Sequence, residues 1–124
     1  MEVVTIRYMC LLYVSEEGMP SPGTAAFGEV REANMAATTA MREAGVLVDS
    51  APLQPVRSAT TVRVRNGESM ITDGPFAELK EQLGGYYLID CADLDEALRW
   101  AATIPAAKRG TVEIRPVVKV ERST

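Results

Sequence analysis

Gly84-Gly85-Tyr86-Tyr87-Leu88-Ile89-Asp90-Cys91-Ala92-Asp93-Leu94-Asp95-Glu96 is the stretch on which the fold class turns. Tyr86 to Cys91 is apolar on both alternating faces, which reads as a central strand buried on both sides. Asp93 then suits a helix N-cap, and Glu96 three residues later completes a capping-box-like pair. Leu94, Ala97, Leu98, Ala101 and Ile104 follow at helical spacing as one buried stripe, and Pro105 ends it. Gly84-Gly85 is not a phosphate loop: it lacks the lysine and the following helix that such a loop needs. A bulge or a close backbone approach accounts for it better.

Working outward, Thr111 to Arg115 reads as a last strand at an edge, with Val112 and Ile114 facing in and Pro116 closing it. Upstream, Tyr8 to Val14 is a second strand apolar on both faces. A Gly/Pro-rich loop, Ser15 to Gly23, leads to a helix over Ala25 to Ala44. Its stripe is Phe27, Val30, Asn34, Ala37, Met41 and Ala44; Ser21 or Thr24 caps its start and Gly45 its end. Val46 to Leu53 is another strand, stopped by Pro52 and Pro55. Thr60 to Arg65 alternates, Asn66-Gly67 turns, and Glu68 to Thr72 returns as a hairpin. Ala77 to Leu83 reads as a short helix or an irregular turn.

The order is strand, helix, strand, inserted hairpin, strand, helix, strand. Without the hairpin this is βαββαβ, an α+β ferredoxin-like domain. Two helices cover only one face of such a sheet, yet both faces of the two central strands are apolar. Leaving one face wet exposes a patch larger than monomers tolerate. The reading is therefore a homodimer with sheets packed face to face, the alternative being a hairpin folded back over its own sheet.

The chain has 124 residues, enough for one domain, with a core over about 7–117 and a polar tail over 118–124. Lys plus Arg is 13 and Asp plus Glu is 17, a net charge of −4 with the signs mixed along the chain. That balance argues against nucleic acid as a partner. There is no histidine, which removes Ser-His-Asp triads, Cys-His dyads and His-metal sites within the chain. Carboxylates alone, Asp73, Glu78 and Glu81, would hold a hard cation only weakly, so neither metal nor cofactor is expected. No signal-peptide pattern is visible at the N-terminus and no run is long enough to span a membrane, so the cytoplasm is the expected compartment. Cys10 and Cys91 sit in apolar runs, on strands expected to be parallel neighbours, and read as buried reduced thiols.

Asp73-Gly74-Pro75-Phe76-Ala77-Glu78-Leu79-Lys80-Glu81-Gln82-Leu83-Gly84-Gly85-Tyr86-Tyr87-Leu88-Ile89-Asp90 resembles the signature of the YCII-related family in its DGPF branch. The resemblance extends through Ala44-Gly45-Val46-Leu47, Leu53-Gln54-Pro55, Thr60 to Arg63, Asp93 to Ala97 with Trp100 and Pro105, and Val112 to Pro116. It implies a ferredoxin-like fold that dimerises as an α/β barrel. It also implies a site built on a His and an Asp. Asp73 matches the Asp, and the His has no counterpart here. Some relatives are associated with extracytoplasmic-function sigma factors, which implies a regulatory role as one alternative.

Each candidate residue carries two readings. Asp73 is either a general base or ligand anchor at a strand end, or an Asp that opens a turn by bonding the following amides. Phe76 either plugs the core beneath the turn or lines a cleft. Glu78, Lys80, Glu81 and Gln82 offer an acid, a cation and an amide to a cleft, or are solvated turn residues; of these, Gln82 is expected to point inward. Tyr86 and Tyr87 point to opposite faces, one into the helix-covered core and one toward a ligand or a second copy. Arg63 and Arg65 share a hairpin face, free to pair with an anionic ligand or with Glu68. A small-molecule-binding module ranks first, an enzyme using Asp73 second and a regulatory protein third.

Overall fold

A computed structural model describes residues 4–119. Its elements in chain order are β1 (Ile6–Val14), α1 (Ala25–Glu43), β2 (Leu47–Pro52), a single 3₁₀ turn (Val56–Ser58), β3 (Thr60–Arg65), β4 (Glu68–Asp73), β5 (Gln82–Cys91), α2 (Leu94–Ala101), α3 (Ala106–Arg109) and β6 (Thr111–Pro116). Four strands form one sheet in the order β2-β5-β1-β6, and β3 and β4 form a separate two-stranded sheet. All the pairings are antiparallel. With the hairpin set aside, this is the ferredoxin-like βαββαβ arrangement, with the two doubly apolar strands at its centre. The polar tail expected over 118–124 lies mostly outside the described residues.

The core forms where the helices meet one face of this sheet. Tyr8 and Cys10 of β1 and Tyr87, Ile89 and Cys91 of β5 are buried there with Met41 of α1, Ala97 and Ala101 of α2, Ile104 and Ala106. Val112 and Ile114 lie opposite Leu12 and Cys10 in register, and pack against the same cluster. Thr24 is the cap of α1: its hydroxyl accepts from the Phe27 amide at 3.2 Å. Asp93 caps α2 by accepting from the Glu96 amide at 2.9 Å. Glu96 reaches back one residue further than an ordinary capping box, to the amide of Ala92 at 2.7 Å.

Several expectations are corrected. Cys10 and Cys91 lie on antiparallel, not parallel, neighbours: Cys10 faces Tyr87, and Cys91 faces Ile6. In a βαββαβ sheet the crossover skips one strand, so the strands that touch run in opposite directions. The stripe of α2 is narrower than its spacing suggests, since Leu94 and Leu98 are 49% and 48% exposed while Ala97 is fully buried. A short helix with small residues inward sits close to the sheet and leaves its flanking leucines outside. Pro105 does not close α2 but starts a separate one-turn helix, α3. Residues 77–81 form neither helix nor strand, and β5 begins at Gln82.

Gly84-Gly85 has both roles expected of it. The β1–β5 register slips between Leu12 and Tyr13, so Gly84 is the extra residue of a bulge. A Cβ on Gly85 would lie 2.8 Å from the Ala51 carbonyl oxygen, a contact only glycine avoids. At the hairpin tip, Asn66 and Gly67 have φ of 52° and 78°, the two positive values that a type I′ turn requires.

Candidate functional site

The segment between β4 and β5 is held in place by long-range polar ties. The Gly74 amide donates to the Ala59 carbonyl at 2.7 Å, and the Thr61 hydroxyl donates to the Gly74 carbonyl at 2.7 Å. Gly74 sits at φ 100°, which lets the chain leave β4 sharply before Pro75. Glu16, in the loop after β1, accepts from the Val56 amide at 3.0 Å, and its own amide donates to Gln82 Oε1 at 3.2 Å. Gln82 Nε2 donates to the Leu79 carbonyl. The Thr111 hydroxyl donates to Glu81 Oε1 at 2.9 Å, tying the segment to β6.

These ties shape a cleft of about 350 Å³ lined by Val56, Arg57, Gly74, Pro75, Ala77, Glu78, Leu79 and Gln82. Its volume falls at the lower end of small-molecule sites, and its wall is largely apolar with a few polar groups. Arg57 and Glu78 supply one cation and one carboxylate. A guanidinium in such a wall can hold a carboxylate or phosphate through two parallel hydrogen bonds.

The candidates from the sequence divide around this cleft. Gln82 lines it and is half-buried, with its side-chain amide spent on Glu16 and Leu79. Glu78 lines it, while Glu81 is taken by Thr111. Asp73 precedes the cleft-lining Gly74, is exposed, and makes no side-chain hydrogen bond among the described residues. The Gly74 amide that follows it donates to the Ala59 carbonyl instead. Phe76 neither plugs the core nor lines the cleft, and stands 74% exposed. Lys80 and Arg63 are exposed and away from the cleft lining. Arg65 faces Glu68 across the hairpin without an ion pair among the described residues. Arg57 and Glu16 were not candidates. Glu16 acts through partners dozens of residues away, and Arg57 meets the turn after β4 only in the fold, which no local pattern displays.

Tyr86 and Tyr87 do point to opposite faces. The Tyr87 hydroxyl lies under the helices, 2.8 Å from the hydroxyl of Thr38. Tyr86 lies on the open face and donates to Asp49 Oδ2 at 2.8 Å. That bond, then burial and the Asp49 charge, push its phenol above the ordinary value. Met9, Leu11, Tyr13 and Leu88 share this half-buried face with Tyr86. Around them lie Asp49, Glu113, Arg115 and the forked Arg7–Asp90 pair, with Nε–Oδ1 at 2.8 Å and Nη2–Oδ2 at 3.2 Å. Among the described residues no group of three or more Cys, Asp or Glu side chains is arranged to hold a metal ion, and no helix is long and apolar enough to cross a membrane.

The helix-backed antiparallel sheet with its inserted hairpin and its cleft after β4 defines a ferredoxin-like α+β domain. Comparison with known families matches residues 6–121 to the YCII-related domain, and the chain belongs to that family. It is similar to an uncharacterised protein of Rhizobium meliloti (strain 1021), with 52% identity over 77 residues. That match covers 60% of this chain and 62% of the relative, so the chain spans less than two thirds of the relative's length.

Proposed function

We propose that this YCII-related chain is a member of the DGPF branch that works in the cytoplasm as a homodimeric small-molecule-binding module. The observation that carries the binding reading is the cleft beside Gly74 and Pro75, with Arg57 in its wall. Arg57 is the group suited to an anionic substituent, and Val56, Pro75 and Leu79 to an apolar body. Binding is what an apolar wall with one cation supports. The alternative, an enzyme with Asp73 as general base, places that exposed carboxylate one residue before the cleft-lining Gly74.

The dimer reading rests on the open face. Its centre is apolar and its margin carries both signs, Arg7 and Arg115 against Asp49, Asp90 and Glu113. A two-fold contact must complement itself, and a mixed margin around an apolar centre does so.

Native mass spectrometry of the protein purified without added ligand tests both parts. The expected result is a dimer that retains a small molecule, with Arg57→Gln keeping the dimer and losing the adduct. A monomer overturns the assembly. A bare wild-type dimer, or an adduct that survives Arg57→Gln, overturns the cleft.

A further inference from the structure

The cleft beside Gly74 and Pro75 carries two opposite charges, Arg57 and Glu78. They come from different elements: Arg57 from the 3₁₀ turn before β3, Glu78 from the segment between β4 and β5. They do not neutralise each other. Among the described residues the ion pair is Arg7–Asp90, and the Arg57 guanidinium and the Glu78 carboxylate are not within ion-pair distance. Neither makes a side-chain hydrogen bond among the described residues. Much of the remaining polar lining is already committed. The Val56 amide donates to Glu16, and its carbonyl accepts from the Ala59 amide. The Gly74 amide and carbonyl are bonded to Ala59 and Thr61. The Gln82 side chain accepts from the Glu16 amide and donates to the Leu79 carbonyl.

Two charges of opposite sign in one cleft select against ligands of a single sign. A simple anion drawn to Arg57 is repelled by Glu78, and a simple cation drawn to Glu78 is repelled by Arg57. A ligand carrying both signs satisfies each side chain through a charge-assisted hydrogen bond. The cleft volume of about 350 Å³ suits a small metabolite. Its apolar lining, Val56, Pro75 and Leu79, suits a hydrocarbon body. An α-amino acid is the compact form of such a ligand. Its two charges flank one carbon, which leaves the side chain free to lie on the apolar wall.

We propose that the cleft takes a small zwitterion, an α-amino acid with an apolar side chain, with its carboxylate on Arg57 and its ammonium on Glu78. This rests on the binding reading above and deepens it by naming the class of ligand. Arg57 then supplies the anion site, and Glu78 is the residue that distinguishes an amino acid from a plain carboxylic acid.

Isothermal titration calorimetry of the full chain tests this with three probes that share one hydrocarbon body: L-leucine with both charges, isocaproate with the carboxylate alone, and isopentylamine with the ammonium alone. The expected result is that leucine binds about 10-fold or more tighter than either single-charge probe. Glu78→Gln should cancel the advantage of leucine over isocaproate, and Arg57→Gln should weaken both. Glu68→Gln makes the same change of net charge on the hairpin, outside the cleft lining, and should alter neither. Arg57, Glu78 and Glu68 are exposed, so each variant should keep the wild-type far-UV circular dichroism. Isocaproate that binds as tightly as leucine, and is lost in Arg57→Gln, overturns the zwitterion and leaves the cleft an anion site. A leucine advantage that survives Glu78→Gln, or that Glu68→Gln removes equally, overturns it too. If none of the three probes saturates the protein, the apolar amino acid is overturned as the ligand class. The binding reading is then decided separately, by the retained adduct and its sensitivity to Arg57→Gln.

Discussion

Tyr86 and Tyr87 are consecutive residues of β5, yet their phenols meet different worlds. Tyr87 is buried beneath α1 and shares a hydrogen bond with a neutral hydroxyl, Thr38. Tyr86 emerges on the other face and is bonded to a carboxylate, Asp49. The contrast holds along the strand: Ile89 and Cys91 are fully covered, while Leu88 and Asp90 are only half-buried. On β1, Tyr8 and Cys10 are covered and Met9 and Leu11 are not. The composition of the two faces is therefore more alike than their burial. The open face of methionine, leucine and tyrosine is the surface that the proposed second copy would cover.

The sharpest test of this contrast compares neighbours. Ile89→Ala empties a fully buried position and should cost about 3 kcal/mol or more of folding stability, by lost transfer energy and a residual cavity. Leu88→Ala, one residue away, should change the stability of the dissociated chain by less than about 1 kcal/mol. In the assembled protein its cost should grow with protein concentration, because the missing side chain then weakens self-association. Urea denaturation at low and high protein concentration reads both. Equal costs for the two substitutions at low concentration would erase the distinction between the faces.

Much of this contrast was legible in the sequence, and the reason is local. Doubly apolar runs marked β1 and β5 as central, Asn66-Gly67 marked the hairpin, and Asp93 with Glu96 marked the start of α2. Each signal lies within a few residues, where periodicity and capping act. The direction of pairing between β1 and β5 needed the global connection, and there the reading of Cys10 and Cys91 as parallel neighbours failed. Leu94 and Leu98 were misjudged because helical spacing tells which residues share a side, not how close the helix sits. The candidate site was less legible still. Its turn was visible in Asp73-Gly74-Pro75-Phe76, but its other wall is Val56 and Arg57, with Glu16 tying Val56 to Gln82 across dozens of residues. The exposure of Phe76 belongs to the same class, since nothing local distinguishes a core phenylalanine from one left outside.

The covered face also carries both cysteines, which gives it a pH signature. Burial, followed by the nearby Cys91 thiol, pushes Cys10 from 9.0 up to about 11. Cys91 rises from 9.0 to about 11 through burial and the charges of Glu96, Asp90 and Asp93, against a lowering by Arg99. The folded state thus holds these protons more tightly than the unfolded chain does. Their contribution to stability is complete below pH 9 and is lost as pH rises through 9 to 11. Denaturation midpoints under reducing conditions should fall across that window, and fall less in Cys10→Ala/Cys91→Ala. Reaction with a disulfide reagent at neutral pH should be slow in the native protein and fast after unfolding. Rapid native labelling of either thiol would place it outside the covered face.

The smallest effect lies on the open face, at Asp49. Tyr86 donates to Asp49 Oδ2, while Asp49 Oδ1 accepts from the Ser50 amide at 2.9 Å, so the carboxylate is fixed by its own backbone. A charged acceptor favours the protonated phenol, first through the hydrogen bond itself. Asp49→Asn keeps an acceptor and removes the charge, so the Tyr86 pKa should fall toward its ordinary value. Absorbance titration, with Tyr86→Phe subtracted to isolate the signal, reads the shift. The same titration distinguishes the faces through concentration. The proposed second copy would cover Tyr86, adding desolvation to the Asp49 effect and moving the phenol further up. A Tyr86 titration identical on both sides of the dissociation midpoint would mean that the second copy does not reach this part of the sheet.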